Sequence, residues 1–161
     1  CKLHLKSDSV LYDVGSGTGS IAVEAASLSD DMEVYAIEQK ENAVQLITQN
    51  KEKHGLENIH VIKAKAPDGM DTLPVPTHAF IGGSSGNLKE IIEALKVKNP
   101  HIRIVINAIS METICEIKEI LSAYDVKNED IVQLQVSRSK QIGHYHLMQA
   151  ENPVWICSFE F

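Results

Sequence analysis

Two acidic residues and three glycines carry the first chemistry that can be read from the chain. Asp13 to Gly19 run Asp-Val-Gly-Ser-Gly-Thr-Gly and follow the apolar run Val10-Leu11-Tyr12. Glu38 closes a second apolar run, Val34-Tyr35-Ala36-Ile37, at about the 20-residue spacing of a nucleotide-cofactor site. The glycines allow a tight turn and let a ligand approach the backbone where a Cβ would stand. A carboxylate at the next strand end can accept hydrogen bonds from a ribose diol. The spacing separates the cofactors. A dinucleotide turn has Gly-x-Gly-x-x-Gly, which seats a pyrophosphate on a helix N-terminus. Here the pattern is Gly15-x-Gly17-x-Gly19, and Asp13 in front of it would repel a pyrophosphate. An acid at that point suits a cofactor with a cationic amino acid part, S-adenosyl-L-methionine. The reading is a methyltransferase cofactor site.

The rest of the composition narrows the class. At 161 residues, with 43% hydrophobic and 23% charged residues, the chain fits one globular domain, residues 1–161, with a sizeable core. Its net charge of −7 opposes a long nucleic-acid-gripping surface. No apolar run approaches the ~18 residues of a membrane span, and no secretory signal is visible. Cys1, Cys115 and Cys157 are scattered and form no metal-ligand spacing, so no metal is expected, and a reducing cytoplasm is the simple reading. Cys115 falls in an apolar helical pattern and is expected in the core. The chain opens on Cys1 rather than Met, so residues before it are expected to be missing.

Stepping along the chain, strand-like runs alternate with helix-like segments. Strands are expected at Ser9–Val14, Glu33–Glu38, Ile59–Ile62, His78–Ile81 and Ile102–Ala108. Helices are expected at Ser20–Leu28, Lys40–Lys53, Leu88–Val97 and Met111–Tyr124. In the second helix Ala43, Leu46 and Ile47 share the buried face, and Gly55 is its stop signal. Ile114, Ile117, Ile120 and Leu121 form the buried face of the fourth. Then the pattern changes: Ile131–Val136 and Val154–Phe161 are strands with no helix between them, which predicts an antiparallel pair at the sheet edge. The fold expected is α/β and Rossmann-like: a seven-stranded, mostly parallel sheet with helices on both faces and a C-terminal antiparallel hairpin. Ligands bind at the carboxyl ends of such strands. Asp13, Glu38, the turn Ala64-Lys65-Ala66-Pro67, Gly82–Gly86 and Asn107 all fall on that rim.

Taken together, the runs "DVGSGTGSIAVEAA", "VYAIEQ", "AFIGGSSGNLKEII" and "VINAISMET" resemble the decarboxylating precorrin-6Y methyltransferase family, among class I methyltransferases. The resemblance is to its CbiT-type unit, free-standing or as the C-terminal half of a CobL-type bifunctional enzyme, and it reaches to "NPVWI". The Gly-Gly-Ser-Ser-Gly turn after the fourth strand is its more specific mark. The resemblance implies methyl transfer from S-adenosyl-L-methionine to meso carbon 15 of a precorrin in cobalamin biosynthesis. It also implies loss of carbon dioxide from the ring C acetate, a homo-tetramer, and a carbon-5 precorrin methyltransferase fused or working alongside. Carried over, Asp13, Gly15, Ser16, Gly17, Thr18 and Gly19 would cradle the methionine part of the cofactor. Glu38 would bind the ribose and Gln39 would lie beside the adenine, with Lys65, Ala66 and Gly83 completing the site. The sequence departs from the family's Gly-Asp-Ala-Pro at Ala64-Lys65-Ala66-Pro67. Lysine cannot accept a hydrogen bond from the adenine amino group, so a lower cofactor affinity is expected.

The residues fit such a reaction. Methyl transfer from a sulfonium asks mainly for positioning and a dry cavity, and the macrocycle supplies its own carbon nucleophile. No catalytic side chain is assigned. A polycarboxylate substrate needs local positive charge on an acidic protein. Ile131 to Ala150 contain no Asp or Glu but do contain Arg138, Lys140, His144 and His146. Arg138 and Lys140 are expected to meet precorrin carboxylates, against the alternative of an ordinary solvated loop. Ser84 and Asn107 are candidates for the substrate, or for capping the helices that follow them. His78, Tyr12 and Trp155 read as structural. Competing readings are an RNA or other small-molecule methyltransferase, a dinucleotide oxidoreductase, and a non-catalytic cofactor-binding subunit.

Overall fold

Short β-forming runs ending in glycine or acid, each followed by a helix with one apolar face, leave the chain few ways to bury its apolar surface. The computed structural model describes residues 2–161. The strands are β1 (Val10–Val14), β2 (Glu33–Glu38), β3 (Ile59–Lys63), β4 (His78–Ile81), β5 (Arg103–Ala108), β6 (Lys127–Leu134), β7 (Ser137–Ile142), β8 (Tyr145–Ala150) and β9 (Val154–Glu160). The helices are α1 (Ser20–Ala26), α2 (Glu41–His54), α3 (Leu88–Lys98) and α4 (Met111–Ala123). Seven strands form one sheet in the order β3-β2-β1-β4-β5-β9-β6. The first five are parallel, and β9 runs antiparallel to both its neighbours.

The strands alternate between two cores. On one face α3 and α4 lay Leu88, Ile91, Ile92, Leu95, Ile117 and Ile120 against Tyr12, Val14, Ile104 and Ile106. On the other, Ala22, Ala25, Ala26 and Ile47 of α1 and α2 cover Leu11, Val34, Ala36 and Val105. All of these are buried, and the small residues of α1 let that helix pack close under the first turn. Tyr12 is fully buried and donates its hydroxyl to the Pro74 carbonyl at 2.7 Å, which ties the long β3–β4 connection to the core.

The expected architecture is present, with a few differences. Helix α1 ends at Ala26, not Leu28, because Ser27 turns its hydroxyl back onto the Val23 carbonyl and Leu28 N–H bonds Ala25 O. Strand β6 begins at Lys127, four residues early; it is the sheet's edge, and exposed polar residues there carry no alternation to read. The stretch between the two antiparallel strands is not a plain connection but a hairpin, β7 and β8, turning at Gly143-His144 with Gly143 at φ +61°. Cys115 is exposed on α4 rather than in the core. Leu46 is likewise 43% exposed, and Trp155 is only half-buried.

Candidate active site

The site is built where β1, β2, β3 and β4 end together. Three loops meet there: the glycine loop after β1, the Lys65 turn after β3 and the glycine turn after β4. Gly15 stands at φ +68°, Gly17 at +60° and Gly19 at +79°, conformations that L side chains rarely adopt. Gly15 is fixed by a second constraint. A Cβ there would lie 2.4 Å from the Gly83 carbonyl oxygen, so the two glycine turns touch backbone to backbone. A Cβ on Gly17 would meet nothing within 4 Å; it would project into open space. That space is a groove of about 360 Å³.

The groove is lined by Gly15, Gly17, Thr18, Glu38, Gln39, Lys65, Ala66 and Gly83, expected at the cofactor, and by Ser84, expected at the substrate. Lys40, Asn42, Ala43 and Leu46 also line it and were not anticipated. They belong to the first turns of α2 and its lead-in, and the exposed position of Leu46 is explained by the groove beside it. The signal available was their place directly after Glu38. Asp13, Ser16 and Gly19 are not in the lining. They lie beneath the loop, buried, and hold its shape.

The two carboxylates have different surroundings. Asp13 is 1% exposed; its Oδ2 accepts the Ser16 hydroxyl at 2.6 Å and its Oδ1 has no partner among the described residues. Burial raises its pKa to about 6, with Ser16 and the Ala22 N–H pulling the other way and Glu38 adding a small push upward. A buried acid with an orphaned oxygen suits a nearby cation. Glu38 is saturated on one side: Oε1 accepts Gln39 N–H and Lys40 N–H, both at 2.9 Å, while Oε2 accepts Gly17 N–H at 3.0 Å. One acceptor position on Oε2 is left for a ribose hydroxyl, and the same carboxylate pins the glycine loop. Lys65 is exposed at the mouth, and Asn87 holds the Ala66 carbonyl at 3.1 Å.

A second cavity of about 300 Å³ adjoins the groove. Its walls include Gly83, Ser84 and Ser85, shared with the groove, with Asn107 from β5, Ile109 just after it and Thr113 from α4. Asn107 does not cap α4; Ser110 does, accepting Thr113 N–H. Ser84 makes no side-chain cap on α3 either. Arg138 and Lys140 line neither cavity. Both are exposed on the β7–β8 hairpin, and Arg138 pairs with Glu151, just past the acid-free stretch, at 2.6 Å. The hairpin leaves the sheet from the Leu134 end of β6 and returns at Val154 of β9, which pairs near Ala108 of β5. It therefore rises from the rim that carries the site.

No metal-binding group of His, Cys, Asp and Glu occurs among the described residues. The residues do fit S-adenosyl-L-methionine: an open groove over glycines, an orphaned acid near its methionine end, and a strand-end carboxylate with an acceptor to spare.

The chain matches the precorrin methyltransferase domain family over residues 1–160. A Saccharolobus solfataricus protein named "Probable cobalt-precorrin-6B C(15)-methyltransferase (decarboxylating)" is 37% identical over 163 residues, covering 99% of this chain and 82% of that protein. The crystal structure of precorrin-6y C5,15-methyltransferase from Geobacter metallireducens superposes with a TM-score of 0.91 at 32% identity, covering 99% of this chain and 84% of that one. That of a Methanobacterium thermoautotrophicum protein described as precorrin 8w decarboxylase gives 0.87 at 30% identity, covering 100% and 86%. With the glycine loop, the strand-end carboxylate and the shared wall in place, the chain belongs to the precorrin methyltransferase domain family and is an S-adenosyl-L-methionine-dependent methyltransferase.

Proposed function

We propose that this protein methylates meso carbon 15 of a precorrin macrocycle and releases the carboxyl of the ring C acetate as carbon dioxide, a step of cobalamin biosynthesis. The observation that carries the reading is the wall Gly83–Ser85, which separates the cofactor groove from a second cavity on the same rim. A substrate seated in that cavity faces the methionine end of the groove.

When bound, the cofactor supplies an electrophilic methyl group on a sulfonium. The chain supplies placement. Gly15 and Gly17 offer bare backbone to the methionine part, with Asp13 beneath them opposing its ammonium charge, and Ser16, Thr18 and Gly19 keep the loop in shape. Glu38 takes a ribose hydroxyl, while Gln39, Lys65 and Ala66 flank the adenine. Ser84 and Asn107 orient the substrate. The macrocycle's own carbon would form the new bond to the methyl group as the methyl–sulfur bond breaks, its pair staying on sulfur. The bond pair left by departing carbon dioxide enters the conjugated system, and the side-chain carbon takes up a proton. Holding the partners in line and keeping water out is the protein's contribution.

Arg138 and Lys140 are the candidates for the substrate's peripheral carboxylates. Lys140, which has no ion pair among the described residues, is the freer of the two. Residues 1–161 act as one domain. The working form is a homo-tetramer in the cytoplasm. The hairpin supports assembly: Ile142, Tyr145, Leu147 and Met148 are more than half exposed on a two-stranded ribbon, a structure marginal in water by itself. No described helix is long and apolar enough to cross a membrane.

Titration calorimetry with S-adenosylhomocysteine tests the cofactor half, with Asp13→Ala, Glu38→Ala and NAD as controls. Micromolar binding lost in the Glu38 variant is expected; tighter binding of NAD would overturn it. Mass spectrometry of a precorrin incubation tests the rest, the product gaining one methyl and losing one carbon dioxide.

A further inference from the structure

The turn after β4 reaches across the groove with two side chains. Gln39 Nε2 donates to Ser85 Oγ at 2.7 Å, and Asn87 Nδ2 donates to the Ala66 carbonyl at 3.1 Å. Gln39 follows β2 and Ala66 follows β3, while β1 and its glycine loop lie between β2 and β4. The Gln39–Ser85 bond therefore joins one bank of the groove to the other, over the ends of the glycine loop. Both residues line the groove and both are exposed, so neither needs this bond to avoid a buried, unsatisfied group. Ser85 nevertheless holds φ +50°, a left-handed conformation unusual for a non-glycine residue. Strain of this kind at a ligand groove is a mark of pre-organisation. Gly86, at φ +82° beside it, gives the turn a flexible point on the α3 side.

We propose that Ser85 is a positioning residue. Through Gln39 it straps the groove across the adenosyl half of the cofactor and sets how long the cofactor, and the product left after transfer, remain bound. This rests on the cofactor reading above. Because Gly83 to Ser85 also wall the second cavity, opening the strap loosens that cavity too. The demethylated cofactor therefore leaves most easily once the methylated substrate no longer braces the wall.

The test is the dissociation rate of S-adenosylhomocysteine from the whole chain, by stopped-flow displacement. Ser85→Ala should release it about fivefold faster, the worth of one neutral hydrogen bond, with the association rate little changed. Gln39→Ala removes the same bond together with its place beside the adenine, so it should release at least as fast, and the double variant should be no faster than Gln39→Ala. Ser85→Gly relaxes the backbone but lacks the hydroxyl, and should resemble Ser85→Ala. Asn tolerates left-handed φ and its carbonyl can accept from Gln39, so Ser85→Asn should restore slow release. Wild-type release from Ser85→Ala, or single effects that multiply in the double variant, overturns the strap. Failure of the unmutated protein to bind S-adenosylhomocysteine overturns the cofactor reading, and the strap with it.

Discussion

Asp13 links stability to pH through one atom. Its pKa is about 6 in the folded chain against 3.8 for the free side chain. A carboxyl held above its unfolded value contributes stability that is full below pH 3.8 and lost as pH rises through about 6. Above that, the buried charge costs on the order of 3 kcal/mol at 1.36 kcal/mol per unit. Asp13→Asn should therefore unfold at higher denaturant than the parent at pH 8, show little gain at pH 4, and bind S-adenosylhomocysteine poorly at both. Equal denaturant midpoints across that range would remove the buried-charge account. Lys65 makes the opposite kind of prediction. It stands at the groove mouth where the related pattern has an acid, so Lys65→Asp supplies the missing acceptor for the adenine amino group. About 1 kcal/mol, roughly fivefold tighter binding by calorimetry, is expected. The places of Glu38 and Gly15 were legible because local chemistry fixes them: an acid at a strand end, and a glycine where φ must be positive. Leu46 and Lys40 were not, since helical periodicity places Leu46 with the core and cannot see that the groove cuts into that face. Arg138 was legible as a cation but not as Glu151's partner, because that pairing depends on a hairpin register.

Among the elements, the two glycine turns behave as one joint. Gly15→Ala adds a methyl 2.4 Å from the Gly83 carbonyl and forces a side chain into φ +68°. The turns must part, so the variant should lose cofactor binding while the sheet, judged by far-UV circular dichroism, survives. The parallel strands declared themselves through buried apolar runs bounded by turn residues. The outer elements did not. Strand β6 has no buried face to impose alternation, and β7 and β8 are exposed along their whole length. Their strand character comes from pairing with each other, which no periodicity records.

At the scale of the molecule, the proposed assembly would use the hairpin's exposed side chains. Tyr145 and Leu147 stand on one face of the ribbon, paired opposite Ile142 and Lys140. Tyr145→Asp with Leu147→Asp should lower the mass measured by light scattering while leaving S-adenosylhomocysteine binding within about threefold, an effect below 1 kcal/mol. An unchanged mass would move the interface elsewhere. The sheet order has one more consequence, for the chain as it is made. Strand β9 lies between β5 and β6 although it follows both in sequence. During synthesis β6 emerges with nothing to pair with, and the open edge of β5 waits through the whole hairpin before its neighbour arrives. The methyltransferase sheet is thus closed late: until β9 is made, its parallel half carries an open edge at β5. Chaperone capture and aggregation during expression should concentrate in that interval, and a chain stalled before Val154 should be a poor solute however well its cofactor loop is formed.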